Sequence, residues 1–400
     1  MHLIAVICLP FLAAGTFTQR TDLVRIGLFS LFKPETIQVR SNSTATLSLD
    51  GASSLNSLSG GELIQIRLSG ERLNVVIVGS HGTTKLSTET GQVVIAPDSD
   101  GTLELALPGR MRRTVSGAVS VDAGLAGRGP LRVVLSTSRE AAVASVVAAE
   151  TSRRDPEALM ALAVVARTFM ISHTSRHSNE GFDFCDTTHC QLYRGEQDLS
   201  DRAASTVVLR SVARTGGQVL TFDGHVIEGY YTAVCGGLSA TPSMVWGGTG
   251  DYPYRRIECQ WCKRSRFRRW QRAAEARRVI DSVAGFVGAK LSNGTELITT
   301  NHPGSGFVES VTIVDGSKRF VLSADSFRRA VGLSLGWNTV LSPTFVIERK
   351  GSRMVFRGRG FGSQIGLCEE GAIAQAISGR GYREILAFYF PGAAVSSPQE

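Results

Sequence analysis

The residues most able to do chemistry lie in one stretch of the chain, from Glu150 to Cys190. Val143, Val146 and Val147 recur at helical spacing, and Glu150 takes the next position on the same apolar face. Partial burial raises the pKa of a carboxyl group, so that it can stay protonated near neutral pH and serve as a general acid. Cleavage of a glycosidic bond needs such an acid to protonate the leaving oxygen.

A structural role for Glu150 is the alternative. Its side chain could turn to solvent at the end of the helix, or it could pair with Arg153, Arg154 or Arg167. Arg167 lies on the flank of the next helix, which Asp155 and a proline at the first helical position are expected to open. The spacing alone does not decide between an acid catalyst and an ordinary surface carboxylate.

A cluster of cysteine and histidine follows. Cys185, His189 and Cys190 lie within six residues, with His173 and His177 just upstream. Zinc takes four such ligands in a structural site and three in a catalytic one, although this spacing matches no zinc finger. In an exported protein the competing interpretation is a disulfide between these cysteines or to a later one. The later cysteines are Cys235, Cys259, Cys262 and Cys368.

The pair Cys259-Gln-Trp-Cys262 has the spacing of a redox motif. No thioredoxin-like strand and helix surround it, so a structural bridge or a pair of metal ligands is the favoured interpretation.

Composition indicates a globular protein with a basic surface. The 400 residues are 42% hydrophobic and 20% charged, and the formal net charge is +8. Basic runs occur at Arg110–Arg113 and Lys263–Arg269. Such a surface suits an anionic polymer, whether nucleic acid, lipid or cell-wall material, or is simply solvated. The sequence has no nucleic-acid-binding motif, so we expect no nucleic-acid partner.

The helices and strands that must position these residues indicate an α+β fold. We expect helices and antiparallel strands around a substrate cleft. Residues 17–114 alternate between apolar and polar positions and form a predicted β-rich N-terminal region. Further helices are predicted near Gln271–Ala284 and Gly371–Ile377. The apolar run Leu3–Ala14 has the length of a signal-peptide core, so residues 1–16 are a predicted export signal and no transmembrane span is expected in the mature protein.

Six blocks, read in order, resemble the SpoIID/LytB family of sporulation and amidase-modifier proteins. The resemblance covers residues 115–392, leaving 393–400 as a C-terminal tail. The blocks are Val146–Glu150, Pro156–Thr168, Gly181–Gly195, Thr215–Phe222, Tyr231–Gly237 leading to Trp246, and Gly358–Gly362 with Gly371 and Ala372.

This resemblance implies a peptidoglycan lytic transglycosylase that is exported to the periplasm or cell envelope. Glu150 would protonate the oxygen between N-acetylmuramic acid and N-acetylglucosamine, and its carboxylate would then accept the proton of the muramoyl C6 hydroxyl. That hydroxyl attacks the anomeric carbon and leaves a 1,6-anhydro end, so one catalytic carboxylate suffices. Arg167 matches the family arginine and is the second predicted catalytic residue, orienting Glu150 or binding sugar.

The resemblance also implies a structural zinc ion and cell-wall partners. Its zinc-bearing branch points to four ligands, His177, Cys185, His189 and Cys190, and the ion would order the edge of the cleft. The partners are peptidoglycan glycan strands and, in an alternative reading, a cell-wall amidase.

Several positions depart from the family pattern. Thr151 and Ser152 replace a methionine and proline, and Met160 replaces a lysine. The glycine-rich turn Gly362–Gly366 lacks the family histidine. After that turn, a serine and glutamine are replaced by Cys368 and Glu369. Three hypotheses follow: a transglycosylase, a noncatalytic wall-binding protein that activates or localises an amidase, and a structural envelope protein stabilised by zinc or disulfides.

Overall fold

The computed structural model describes residues 22–51, 56–79, 81–98, 101–124, 129–199, 201–248 and 253–397. The predicted export signal, residues 1–16, lies outside the described residues, and the predicted tail is described as far as residue 397. Within the described part, no helix is both long and apolar enough to cross a membrane.

Strands dominate the first third of the chain and recur in the last third. They are β1 (Leu23–Leu28), β2 (Thr36–Ser41), β3 (Ala45–Leu49), β4 (Asn56–Leu58), β5 (Leu63–Ser69), β6 (Arg72–Val78), β7 (Thr84–Thr90), β8 (Gln92–Pro97), β9 (Thr102–Leu107), β10 (Met111–Ser116), β11 (Ala118–Asp122), β12 (Arg132–Ser138), β13 (Phe184–Cys185), β14 (Val219–Phe222), β15 (His225–Val226), β16 (Tyr231–Thr232), β17 (Trp270–Glu275), β18 (Glu296–Asn301), β19 (Val308–Asp315), β20 (Lys318–Ser323), β21 (Phe345–Lys350), β22 (Arg353–Gly358), β23 (Leu367–Cys368) and β24 (Ala394–Ser396).

Helices of the described residues fall mostly between and after these strands. They are α1 (Arg139–Glu150), α2 (Pro156–Ser172), α3 (Arg202–Arg214), α4 (Pro242–Trp246), α5 (Ala276–Val287), α6 (Ala324–Leu335), α7 (Glu369–Ile377) and α8 (Tyr382–Tyr389). The predicted α+β class is confirmed: strands and helices come in blocks, and most strand pairs are antiparallel.

The predicted helix near Gln271–Ala284 is wrong at its first five residues. Residues Trp270–Glu275 form strand β17, and the helix begins only at Ala276. Strand β17 pairs along its whole length with β22, with Gln271 opposite Arg357. Pairing with a distant strand therefore overrides the local pattern.

Two large sheets are built from the first half of the chain. One has the order β13-β1-β12-β11-β8-β3-β4, and the other has the order β10-β9-β2-β5-β6-β7. The first sheet crosses the predicted boundary at residue 114, because β8 pairs with β11 and β1 pairs with both β12 and β13. The β-rich region and the helical region therefore share one sheet and one apolar core, which runs from Val24 to Phe390.

Residues 270–358, from β17 to β22, form a second unit that we call the inserted module. It contains two three-stranded sheets and the helices α5 and α6. Its apolar core, which includes Val279, Phe327 and Phe356, is separate from the main one. The predicted domain 115–392 therefore contains two cores, and the main chain enters and leaves the inserted module close to Cys262 and Cys368.

Candidate active site and metal clusters

Glu150 is the last residue of α1, and its side chain is half-buried. The N-cap Ser138 starts this helix by accepting a hydrogen bond from the Ala141 amide. Glu150 Oε1 accepts hydrogen bonds from Tyr231 Oη at 2.9 Å and from the Leu192 backbone N–H at 3.2 Å. Within the part of the chain that the structure describes, no ion pair reaches Glu150, so the arginine pairing considered from the sequence is not the arrangement found.

Burial dominates the electrostatics of this carboxyl group. It raises the pKa of Glu150, and the hydrogen bonds from Tyr231 and Leu192 offset only part of that rise. Glu369 is 8% exposed, and its pKa is raised first by burial and then by the charge of Glu150. Two carboxyl groups that share a dry site favour a state in which at least one holds a proton, as a general acid requires.

Three separate segments meet at Glu150. Strand β16 carries Tyr231 and pairs in parallel with β23, with Tyr231 opposite Leu367 and Thr232 opposite Cys368. Helix α7 begins at Glu369, directly after β23. Leu192 follows the cysteine and histidine segment. The surroundings of Glu150 therefore depend on contacts between residues far apart in the sequence.

Arg167 lies elsewhere, at the opposite end of α1. Its guanidinium donates to both carboxylate oxygens of Glu140, at 2.6 and 2.7 Å, and to the Gln218 carbonyl oxygen at 2.9 Å. The side chain is 1% exposed, whereas that of Glu140 is 38% exposed. The structure does not bring Arg167 to Glu150, because Glu140 in the first turn of α1 occupies its donors. Its visible role is to fix α1 against α2.

The four predicted zinc ligands come together. The ligand atoms of His177, Cys185, His189 and Cys190 all lie within 4.8 Å of one another. Cys190 Sγ is 3.3 Å from His177 Nε2, and Cys185 Sγ is 3.6 Å from His189 Nδ1. Tetrahedral zinc with bonds of about 2.0–2.3 Å separates its ligands by roughly 3.3–3.8 Å, so the donor set fits this ion. We call this group the cysteine–histidine cluster.

The chain around the cysteine–histidine cluster holds its ligands in place. His177 Nδ1 lies 2.5 Å from Glu180 Oε1, which leaves Nε2 facing the sulfur atoms. Hydrogen bonds, led by that from Cys190, lower the pKa of the Cys185 thiol, whereas its neighbour Cys185 raises that of Cys190. The two cysteines therefore share one proton between them, and a metal ion would replace it.

Asp186 anchors the same segment to both large sheets, through Arg113 in β10 and Phe29 directly after β1. It accepts from Arg113 Nη1 at 2.7 Å and from the Phe29 amide at 2.8 Å. Arg113 is 5% exposed, so this member of the first basic run is engaged inside the protein and is not available to an anionic polymer. His173, the other upstream histidine, stacks on Phe169 with a centroid distance of 4.2 Å and is not part of the cluster.

A second cluster, made of four cysteines, lies outside the stretch from Glu150 to Cys190. The sulfur atoms of Cys235, Cys259, Cys262 and Cys368 lie within 4.8 Å of one another, and all four residues are buried. We call this group the four-cysteine cluster. The sequence indicated these cysteines as candidates for disulfides or metal ligands, but it did not predict that all four come together.

Sequence reasoning missed Tyr231 and Glu369 as functional residues. Tyr231 stood in a block that resembles the family, and Glu369 was noted only as a departure from it. The signal that could have singled out Glu369 is its place directly after Cys368, since an acidic residue beside a buried cysteine needs an explanation.

The turn Gly362–Gly366, which lacks the family histidine, is built around the side chain of Gln364. Gln364 is fully buried at a φ of 66°, donates to the Cys235 carbonyl oxygen at 2.6 Å and accepts from Thr344 at 2.8 Å. Ser363 occupies the position of the family histidine. The turn is therefore tied to the four-cysteine cluster through Gln364.

Two cavities lie apart from Glu150. One of about 660 Å³ is in the inserted module, where Trp270, Arg357 and Arg359 are among its walls. The other, of about 490 Å³, lies beside the four-cysteine cluster at Cys259 and Arg268. Neither is lined by Glu150, so the substrate cleft at this residue stays a prediction.

Comparison with known proteins relates part of the chain to a known family. The family model for SpoIID, described as stage II sporulation protein, matches residues 128–222, which include Glu150 and the cysteine–histidine cluster but not the four-cysteine cluster. An uncharacterized protein of Brachyspira hyodysenteriae is 28% identical over 237 residues, which cover 59% of this chain and 60% of that protein.

Two Bacillus subtilis proteins are also similar. Stage II sporulation protein D is 25% identical over 64% of this chain and 73% of its own length. A protein named amidase enhancer is 26% identical over 60% of this chain and only 38% of its own length. Together with the motifs, these matches support an assignment of the chain to the SpoIID/LytB family.

Proposed function

We propose that this protein is an exported peptidoglycan lytic transglycosylase of the cell envelope, with Glu150 as its single acid and base. The observation that carries the proposal is the half-buried Glu150 carboxyl group, whose pKa burial raises and whose Oε1 is held by Tyr231 and the Leu192 amide. Similarity to relatives named stage II sporulation protein D and amidase enhancer supports a role at the cell wall.

The reaction moves two protons, one from Glu150 to the leaving oxygen and one from the substrate back to Glu150. Protonated Glu150 donates to the oxygen between N-acetylmuramic acid and N-acetylglucosamine as that bond breaks. The resulting carboxylate then accepts the proton of the muramoyl C6 hydroxyl, whose oxygen forms the new bond to the anomeric carbon. Glu150 ends protonated, as it began, and the product carries a 1,6-anhydro end.

Tyr231 and the Leu192 amide would stabilise the carboxylate formed between these two steps. Both donate to Oε1, so Oε2 has no hydrogen-bond donor among the described residues and is the atom available to substrate. Burial of Glu150 opposes its ionisation and so favours the acid form at the start.

We also propose that the cysteine–histidine cluster binds zinc as a structural ion. A bound zinc ion would fix the segment that ends at Leu192, and His177, Cys185, His189 and Cys190 would hold it. All four protein ligands are then used, so this ion has no open position for substrate.

The test of the enzyme proposal is release of soluble fragments from purified, peptide-free glycan strands. We expect the wild-type protein to release fragments ending in 1,6-anhydro groups, and the E150Q variant to lose at least about 100-fold in rate. The matched control is E35Q, which changes an exposed glutamate in the β-rich region and should leave the rate unchanged. Equal rates for E150Q and the wild type would refute the proposal.

The second candidate is a noncatalytic protein that activates an amidase. It is favoured by the relative named amidase enhancer and by the absence of the family histidine at Ser363. In this case the wild-type protein would release no glycan fragments, would bind the wall, and would stimulate an added amidase to the same extent as E150Q.

A further inference from the structure

The four-cysteine cluster has the geometry of a metal site of its own. Cys235 Sγ lies 3.6 Å from Cys262 Sγ, and all four sulfur atoms lie within 4.8 Å of one another. Tetrahedral zinc with Zn–S bonds of about 2.3 Å separates its sulfur ligands by roughly 3.8 Å. Four sulfur atoms from three distant segments would not converge in this way for packing alone, because side chains can fill a core without pointing at one centre.

The groups around the sulfur atoms are hydrogen-bond donors. The Cys235 amide donates to Cys368 Sγ at 3.3 Å, and Arg268 Nη1 donates to Cys262 Sγ at 3.5 Å. The Tyr389 hydroxyl lies 3.3 Å from Cys259 Sγ. Donors aimed at sulfur, one of them cationic, are the surroundings that stabilise metal-bound thiolates in a buried site.

The backbone also approaches the cluster closely. A Cβ atom at Gly371 would lie 2.0 Å from Tyr389 Oη and 3.2 and 3.3 Å from the sulfur atoms of Cys259 and Cys368. At Gly237 a Cβ atom would lie 1.9 Å from the Arg268 guanidinium. Glycine at both positions therefore leaves room for Tyr389 and Arg268 to reach the sulfur atoms.

We propose that Cys235, Cys259, Cys262 and Cys368 hold a second, structural zinc ion, which joins the two segments that flank the inserted module to the strand that carries Tyr231. Cys259 and Cys262 lie just before β17, where the chain enters the module, and Cys368 follows its exit. Cys235 follows β16, and Cys368 ends β23, so the ion joins the strand of Tyr231 to the strand that precedes Glu369.

This ion does not depend on the proposed catalytic activity, so it is tested by its metal content. The protein is purified without chelator or reductant, and its zinc and iron are measured per chain. In a variant carrying H189A and C190S, which lacks two ligands of the cysteine–histidine cluster, we expect about one zinc per chain, and X-ray absorption should show an all-sulfur shell at about 2.3 Å.

The complementary variant is C259S, which should lose about one zinc relative to the wild type. E150Q serves as the control with unchanged zinc. An all-sulfur iron site, a shell that contains nitrogen, or two disulfides among the four cysteines with no metal would each overturn the proposal. The absorption measurement uses a variant with the four-cysteine cluster intact, so poor folding of C259S does not affect it.

Discussion

The cysteine–histidine cluster and the four-cysteine cluster differ most in how their residues are distributed along the chain. The ligands of the first lie between His177 and Cys190, whereas those of the second extend from Cys235 to Cys368. The first is partly open to solvent, with His189 exposed, and the second is buried throughout. The first reaches Glu150 through Leu192, and the second through the strands that carry Tyr231 and precede Glu369.

The two clusters should therefore contribute unequally to the free energy of unfolding and similarly to the geometry at Glu150. A cluster that joins distant segments constrains far more of the unfolded chain than one that closes a short loop. Both nevertheless support residues that contact or face the same carboxyl group.

The largest expected effect on stability is therefore at the four-cysteine cluster. C259S should lower the free energy of unfolding by on the order of 3–5 kcal/mol, which is close to the range for removing a native disulfide. Denaturant unfolding followed by fluorescence measures this loss. Stability equal to that of the wild type would mean that the cluster binds no metal and forms no cross-link.

Disruption of the cysteine–histidine cluster should lower the free energy of unfolding by a smaller amount. We expect H189A to lower the free energy of unfolding by about 1–2 kcal/mol, because His189 is exposed and the loop it closes is short. The same denaturant titration provides the comparison. A loss larger than that of C259S would reverse the ranking of the two clusters.

Sequence reading found the local cluster and missed the distant one for a physical reason. His177 to Cys190 is short enough that any compact backbone keeps the four side chains near one another. Cys235, Cys259, Cys262 and Cys368 meet only after β16 pairs with β23 and the inserted module has folded. The sequence therefore left their pairing open among many alternatives.

The proposed catalytic residue follows the same rule. Glu150 was found from helical spacing and from neighbouring blocks, all of them local. Its contacts with Tyr231 and Glu369 depend on the parallel pair β16 and β23, which no periodicity reveals. The structure places Arg167 beside Glu140, one helix earlier, and spacing alone did not distinguish the face on which Glu140 lies.

The ion pair between Arg167 and Glu140 holds α1 against α2 independently of both clusters. R167K should cost about 2 kcal/mol of stability, because a lysine cannot replace both hydrogen bonds to Glu140 and the one to Gln218. The rate on glycan strands, measured well below the melting temperature, should stay within about threefold. A loss as large as that of E150Q would place Arg167 in catalysis after all.

The smallest expected effect is a shift in pH dependence. The Tyr231 hydrogen bond lowers the pKa of Glu150, so Y231F should raise it. The first step needs protonated Glu150, and activity is lost as the pH rises above its pKa. The alkaline limb should therefore move upward, by up to about one pH unit for the loss of one hydrogen bond.

Its matched control is Y230F, which removes the neighbouring hydroxyl. That group lies 3.3 Å from His173 and makes no hydrogen bond to Glu150, so the limb should stay in place. A downward shift in Y231F, or equal shifts in both variants, would contradict the role given to Tyr231.

The most direct test of Glu150 as the acid and base of a transglycosylase is the isotopic composition of the products. Glycan strands are digested by the wild-type protein in oxygen-18 water and analysed by mass spectrometry. We expect 1,6-anhydro ends with no oxygen-18, since the C6 hydroxyl and not water attacks, and no such ends from E150Q. Reducing ends that carry oxygen-18, or no cleavage at all, would contradict it.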